Sequence, residues 1–245
     1  MLVDGGGRLG ELNTDPIGLK VISPFLRRLA VNRLDVVVLS HPHEDHLHGL
    51  IPILRDFRVG LVLDPGIPHG SEGYKAFLSL IEKRRIPYKI AACGQSINFG
   101  DGVRVQILNP PAEKFSGTDD DANDNSVVLR ITYGKSSLLL AGDTGVEAEM
   151  DIVHSGMPMK SDVLKVAHHG SRFSTTDIWL NAVQPRIAVI SVGRDNPFGH
   201  PSREVLERLA RHGVKVYRTD KNGAVMVRLS RNSLSVRTST RLKKD

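Results

Sequence analysis

The chain has 245 residues, 40% hydrophobic and 24% charged, with a formal net charge of +6 and a single cysteine, Cys93. That length can bury a sizeable core as one α/β unit, and a lone cysteine excludes an internal disulfide framework. No apolar run approaches the ~20 residues needed to cross a bilayer, and Met1 is followed by Leu-Val-Asp and glycines rather than by the basic and apolar regions of a secretory leader, so the sequence predicts a soluble chain.

In chain order, residues 23–29 predict a short helix with Ser23 as its cap and Pro24 at the first helical position. Asp35–Ser40 is a β-branched apolar run that predicts a buried strand, and Leu47–Leu54 has the apolar spacing of a helix start. Between them stands His41-Pro42-His43-Glu44-Asp45-His46, the pattern H-x-H-x-D-H. Imidazole nitrogen and carboxylate oxygen suit Zn²⁺, and also Mn²⁺ or Fe²⁺. Such a polar cluster at the end of a buried strand is costly without a ligand. A strand-to-helix loop can turn His41 and His43 to one metal and Asp45 and His46 to a second.

Val59–Leu63 predicts a strand, and Tyr74, Phe77, Leu78 and Ile81 mark one face of a helix. Residues 97–107 predict a hairpin over Gly100-Asp101-Gly102, and residues 126–141 a second one over Gly134-Lys135. The polar segment 109–125, with Asp119-Asp120-Asp121, is long enough to act as a lid. Three further apolar strands end in donor residues: 138–141 before Asp143, 163–167 before His168 and His169, and 188–193 shortly before His200. Sites in layered α/β folds are built at such strand ends. Thr144-x-x-Glu147 predicts a capping box, which leaves Asp143 for another role; His48 and His69 are predicted to be surface residues. A helix to Leu209 and strands at 215–218 and 224–229, turning over Lys221-Asn222-Gly223, complete the chain. There is no linker or internal repeat, so the expectation is one domain over residues 1–245.

The charge is uneven. Residues 211–245 hold ten Lys or Arg and two Asp, a net +8 that leaves −2 for the remainder. A basic segment is the electrostatic footprint of a nucleic-acid partner. Aromatic residues hardly interleave it, so no stacking platform for single strands is predicted within it.

The H-x-H-x-D-H motif followed by the strand-borne Gly142-Asp143 resembles the metallo-β-lactamase superfamily of dinuclear hydrolases. The segments Leu2–Gly7, Ser40–His43, Asn123–Leu129, Leu164–Ser171, Asn196–Pro201 and Tyr217–Asp220 are similar to the C-terminal domain of ComEC-type competence proteins, over residue 2 to about 229. The resemblance implies a four-layer αββα sandwich that binds two divalent metal ions, Zn or Mn. It also implies the metal ligands His41, His43, Asp45, His46, Asp143 and one of the pair His168/His169. The place of His169 directly before glycine favours it as the ligand. Asp143 would bridge, Asp45 would also hydrogen-bond the nucleophile, and Asp4 would hold the ligand loop from behind. His168 and His200 are the remaining catalytic candidates, facing a phosphate or a leaving group. Two departures stand out. The family's usual strand and hairpin before Leu2 are absent from this sequence, and Asn123-Asp124-Asn125 stands where the superfamily often has a further histidine. The second shifts the donor set towards oxygen, and hence towards Mn²⁺.

The function so implied is metal-dependent hydrolysis through a metal-activated hydroxide. The expected enzyme is a nuclease or phosphodiesterase acting on DNA in competence-type uptake. The alternatives are a hydrolase of a small phosphodiester or lactone, and a non-catalytic metal-binding docking module. Full-length ComEC-type proteins carry a membrane channel that this sequence lacks. The chain is therefore expected in the cytoplasm if it stands alone, and on the extracytoplasmic side of a membrane if it is a fragment.

Overall fold

A computed structural model describes residues 1–7 and 17–240. The chain divides into two compact units, Met1–Ala91 and Ala92–Asp245. Both mix helices with sheet, so the α/β class is as predicted. Among the described residues no helix is long and apolar enough to cross a membrane.

The first unit is built on a four-stranded parallel sheet in the order Leu2–Val3, Val37–Val38, Val62–Asp64, Tyr88–Ile90. The predicted strand at 59–63 is divided at Gly60: Arg58–Val59 pairs in parallel with Arg33–Leu34, and Val62–Asp64 joins the main sheet. The helix Glu72–Lys83 buries Tyr74, Phe77 and Ile81 on one face, at the helical period, and Ser71 caps it by accepting from the Tyr74 N–H. These side chains join Val37, Leu39, Leu47, Leu50, Ile53 and Leu54 in one apolar cluster. The predicted 23–29 helix forms at Ser23–Arg28, but Ser23 does not cap it. A π-helical turn over Gly18–Ile22 runs straight into it, and the Ser23 N–H bonds to the Gly18 carbonyl. The ligand loop opens into two short helices, Glu44–Leu47 and Leu50–Asp56.

The second unit is built on a seven-stranded mixed sheet. Its order is Lys215–Arg218, Ile187–Ile190, Val163–Lys165, Ser136–Leu140, Val128–Tyr133, Val103–Asn109, Ser96–Asn98. The first four strands run parallel and the rest pair antiparallel, as the two predicted hairpins require. Leu139, Leu164, Val166, Trp179, Ala188, Ile190, Val205 and Leu209 form its core.

Two predictions fail here. Thr144 does not open a capping box: its hydroxyl donates back to the Ala141 carbonyl, and the helix Val146–His154 starts after Gly145, whose N–H donates to Asp124 Oδ1. The strand Val225–Leu229 does not pair back across Lys221-Asn222-Gly223, where Thr219–Asn222 is a helical turn; it pairs instead with Leu234–Thr238, a strand not foreseen. Of the predicted basic tail, Arg241, Lys243 and Lys244 lie outside the described residues.

Candidate metal centre

In the first unit the Leu2–Val3 strand delivers Asp4 and the glycines beside the ligand loop. Gly5 and Gly49 touch backbone to backbone: the Gly5 N–H donates to the His46 carbonyl at 2.7 Å, and a Cβ on either glycine would collide with main-chain atoms of the other segment. Asp4 itself sits at φ 57, a left-handed conformation that Asp tolerates better than most residues. From there Asp4 Oδ1 accepts the Ser40 N–H at 2.7 Å, and Oδ2 accepts the Ser40 hydroxyl at 2.8 Å and faces His46 Nδ1 at 2.7 Å.

These bonds fix two tautomers. A carboxylate only accepts, so His46 Nδ1 carries the proton and Nε2 the lone pair. The Ser40 hydroxyl proton is committed to Asp4, so towards His41 Nδ1, 3.0 Å away, that oxygen accepts. His41 is therefore also an Nδ1–H tautomer with its lone pair on Nε2. Metal-ligating imidazoles are commonly oriented in this way, with the second ring nitrogen held by a carboxylate or another acceptor. His41 and His46 are buried, and their ring centroids lie 4.2 Å apart; His43, half-buried, is edge-on to His41 at 4.7 Å. Asp45 Oδ2 lies 3.9 Å from His46 Nε2. The first unit thus gathers all four donors of the H-x-H-x-D-H loop.

In the second unit Asp143 leaves the Ser136–Leu140 strand and is held by its N–H, which donates to Ser126 Oγ at 3.1 Å. The Val163–Lys165 strand ends in a turn where His168 (φ 45) and His169 (φ 52) are both left-handed. Two consecutive non-glycine residues in that region store strain of the kind found at functional sites. Gly170 follows at φ +86, and a Cβ there would meet Pro201 Cβ at 2.6 Å, so only glycine fits. His169 Nδ1 faces the Ser191 carbonyl at 2.7 Å and must donate to it, which leaves the lone pair on Nε2, 3.2 Å from Asp143 Oδ2. His168 lies near, its ring 6.4 Å from His169 and 5.8 Å from His200. His200 does not cap the next helix, a role taken by Ser202; Asn196 brackets its backbone, and Phe198 stacks on its ring at 5.9 Å. Burial, then the neighbouring His168 and His169, push the His200 imidazole below its ordinary pKa.

Each unit therefore sets an imidazole Nε2 near a carboxylate oxygen, His46 near Asp45 and His169 near Asp143. Two acceptors so placed repel unless a proton or a cation stands between them. Nitrogen and oxygen donors with anchored Nδ1 atoms fit a divalent cation. Asn123, Asp124 and Asn125, in the place of the missing histidine, are engaged in holding loops. Asn125 bonds both the N–H and the carbonyl of Phe115, Asp124 takes the Gly145 N–H, and Asn123 bonds Asp120.

Two residues escaped the sequence. Lys165 places Nζ 2.9 Å from the Gly142 carbonyl and 3.4 Å from Asp143 Oδ1; a cation inside the apolar run 163–167 was the available signal. Glu149 is fully buried, accepting the Thr175 N–H at 2.5 Å and the Thr176 N–H at 2.9 Å in the segment that follows the histidine turn. His48, expected at the surface, is buried at 3% exposure, while His69 is half-buried with its ring 5.9 Å from His43.

The metallo-beta-lactamase superfamily model matches residues 1–194. The chain belongs to that superfamily, and with it to a fold of metal-dependent hydrolases that bind divalent cations. It is 31% identical over 238 residues to ComE operon protein 3 of Bacillus subtilis, covering 93% of this chain and 30% of the relative. It is 35% identical over 215 residues to competence protein ComA of Neisseria gonorrhoeae, covering 87% and 28%. The chain thus spans under a third of the length of these relatives, which are the competence proteins its motifs resemble. Among solved structures, the metallo-beta-lactamase fold protein YhfI from Bacillus subtilis superposes with a TM-score of 0.52 at 11% identity, over 88% of this chain and 83% of the other.

Proposed function

We propose that this chain is a metal-dependent phosphodiesterase that cleaves DNA in competence-type uptake. The observation that carries the metal chemistry is the pair of lone-pair-to-carboxylate contacts, His169 to Asp143 at 3.2 Å and His46 to Asp45 at 3.9 Å. The substrate class is supported by the competence relatives and by the basic segment from Arg211 onward.

In this proposal His41, His43, Asp45, His46, Asp143 and His169 would be the ligands of two divalent cations. Bound there, the cations supply Lewis acidity that brings the hydrolytic water towards neutral pKa and offsets charge on the phosphoryl oxygens. Asp45 orients that water by accepting its hydrogen bond. Ser40, Asp4 and the Ser191 carbonyl keep the imidazoles in the Nε2 lone-pair tautomer. His168 and His200 would donate hydrogen bonds, as neutral imidazoles, to a phosphate oxygen or to the leaving oxygen. Lys165 offsets part of the Asp143 charge, and so moderates the pull of that carboxylate on a cation.

The test is cleavage of single-stranded DNA by the purified chain with Mn²⁺, Zn²⁺ and Mg²⁺ in turn, beside an Asp45→Ala variant. Cleavage is expected to be strongest with Mn²⁺ and tolerant of sequence. Asp45→Ala is expected to abolish it while the melting temperature stays within about 4 °C. A chain that hydrolyses a small phosphodiester well but leaves single-stranded DNA intact at low salt with Mn²⁺ is a small-ester hydrolase, and the nuclease assignment falls.

A further inference from the structure

The second unit has a polar concavity at the end of its seven-stranded sheet opposite its donor residues. Asp143 and His169 follow the C-terminal ends of their strands, whereas this cleft of about 440 Å³ is lined by Arg130, Lys135, Ser137, Lys160, Asp162 and Arg186, with Ser161 and Gln184. Lys135 and Ser137 stand at the start of the Ser136–Leu140 strand, Lys160 and Asp162 just before Val163, and Arg186 just before Ile187. From Ser137 to Asp143 the chain runs six residues, about 20 Å at ~3.3 Å each.

Four cations and one carboxylate line this cleft. The carboxylate is already engaged: Asp162 Oδ2 accepts the Ser137 N–H at 2.9 Å and faces the Ser137 hydroxyl at 3.2 Å. Arg130 is half-buried and held in place, donating from Nε and Nη2 to the Lys160 carbonyl at 3.1 and 3.0 Å. Burial lowers its pKa, and the nearby Asp162 carboxylate partly offsets that. Lys135, Lys160 and Arg186 are exposed. The basic C-terminal hairpin leads into the cleft. The Lys135 N–H donates to the Arg231 carbonyl at 2.8 Å, the Ser136 hydroxyl donates to the Ser230 carbonyl at 2.6 Å, and the Arg231 guanidinium lies 5.6 Å from the Tyr133 ring centre.

We propose that this cleft, with Arg231 at its edge, binds the phosphodiester backbone of a nucleic-acid strand at a site separate from the metal donors. The proposal rests on the substrate class argued above, and locates where the strand is gripped outside the reacting centre. Guanidinium and ammonium groups around one hollow neutralise successive phosphates without reading bases. An anionic membrane is the less fitting occupant, because every lining side chain is polar and a membrane-docking surface adds apolar anchors.

The test is binding of a fluorescent oligothymidylate to the full chain in chelator, so that no cleavage intervenes, across a salt series. The variant Lys160→Ala/Arg186→Ala is compared with Lys83→Ala/Lys89→Ala, which removes equal charge from exposed positions of the first unit. The cleft variant is expected to bind at least tenfold more weakly at low salt, with the slope of log K against log salt reduced by about 1.4, at ~0.7 per lost phosphate contact. The control is expected to change binding less than threefold, and both variants to melt with the wild type. Equal losses in both variants would reduce the effect to net charge and overturn the cleft. An unchanged cleft variant, in a wild-type chain that still binds and cuts DNA, would overturn the cleft and leave the nuclease standing. A wild-type chain that neither binds nor cuts DNA would overturn both. Loss of binding to phosphatidylglycerol vesicles in the cleft variant, with oligonucleotide binding unchanged, would assign the cleft to lipid instead.

Discussion

Asp4 shows how much one carboxylate decides. Both its oxygens accept from Ser40, through N–H and hydroxyl, and Oδ2 also accepts the hydrogen bond of the His46 Nδ1–H. The result is two buried imidazoles with defined tautomers, one held directly and the other through a hydroxyl. Removing the carboxylate leaves a buried hydroxyl and a ring N–H without their acceptor, at about 1–3 kcal/mol. We expect Asp4→Ala to weaken divalent-metal binding about 10- to 100-fold, read by competition with a fluorescent chelator, and to lower the urea midpoint. Unchanged metal affinity in a folded Asp4→Ala protein would show that His41 and His46 need no orientation from behind.

At the scale of elements, the informative one is the turn that follows the Val163–Lys165 strand. Its left-handed His168 and His169 are unfavourable alone, and buried contacts beneath hold the segment that follows them. Glu149, from the Val146–His154 helix, accepts two N–H groups of that segment, while the Arg208 guanidinium donates to the Ser174 and Thr175 carbonyls at 2.7 and 2.9 Å. Burial pushes the Glu149 carboxyl up to about 7, against the lowering effect of the two N–H donors. Because the folded-state value lies above the unfolded one, the folded protein binds the extra proton. The associated stability is fully present below about pH 4.5 and is lost as pH rises towards 7, by up to about 3 kcal/mol. We therefore expect the urea midpoint to fall across that window, and Glu149→Gln to flatten this part of the curve at a lower overall stability. A wild-type curve that rises monotonically from pH 4.5 to 7 would mean the carboxyl stays ionised in the fold.

For the whole molecule the relevant quantity is stoichiometry. Four donors come from one loop, and Asp143 and His169 from two strand ends of the second unit; six donors exceed what a single tetrahedral cation takes. We expect two divalent ions per chain by elemental analysis after saturation and gel filtration, whichever of Zn²⁺ or Mn²⁺ is supplied. Saturation at one ion would overturn the two-metal proposal. Chelation should lower the melting temperature, since ligands that bind only the folded state stabilise it by mass action.

Much of this was legible in the sequence, because it is written in short-range pattern. The H-x-H-x-D-H loop, the apolar strands that end in Asp143 and in His168-His169, the buried face of Tyr74, Phe77 and Ile81, and both early hairpins depend on neighbours within a few positions. Family membership follows from the same segments. What the tertiary structure decided depends on groups far apart in the chain. The acceptor that sets the His46 tautomer is 42 positions away, and the one that sets His169 is 22 positions away. Hence the contact between His169 and Asp143, the presence of Lys165 beside it, and the burial of Glu149 could not be read from any local window. The same holds where prediction failed. Thr144 has the residue type of a cap, but its hydroxyl donates to the Ala141 carbonyl and the helix begins after Gly145, whose N–H is taken by Asp124, 21 positions earlier. The Val225–Leu229 strand had a turn before it, yet found its partner after it: Thr219–Asn222 folds as a helical turn rather than a hairpin loop, and Leu234–Thr238 supplies the pairing edge. Donor type and periodicity are properties of the chain itself, whereas a hydrogen-bond partner or a strand's neighbour is settled only when distant segments compete for the same polar groups.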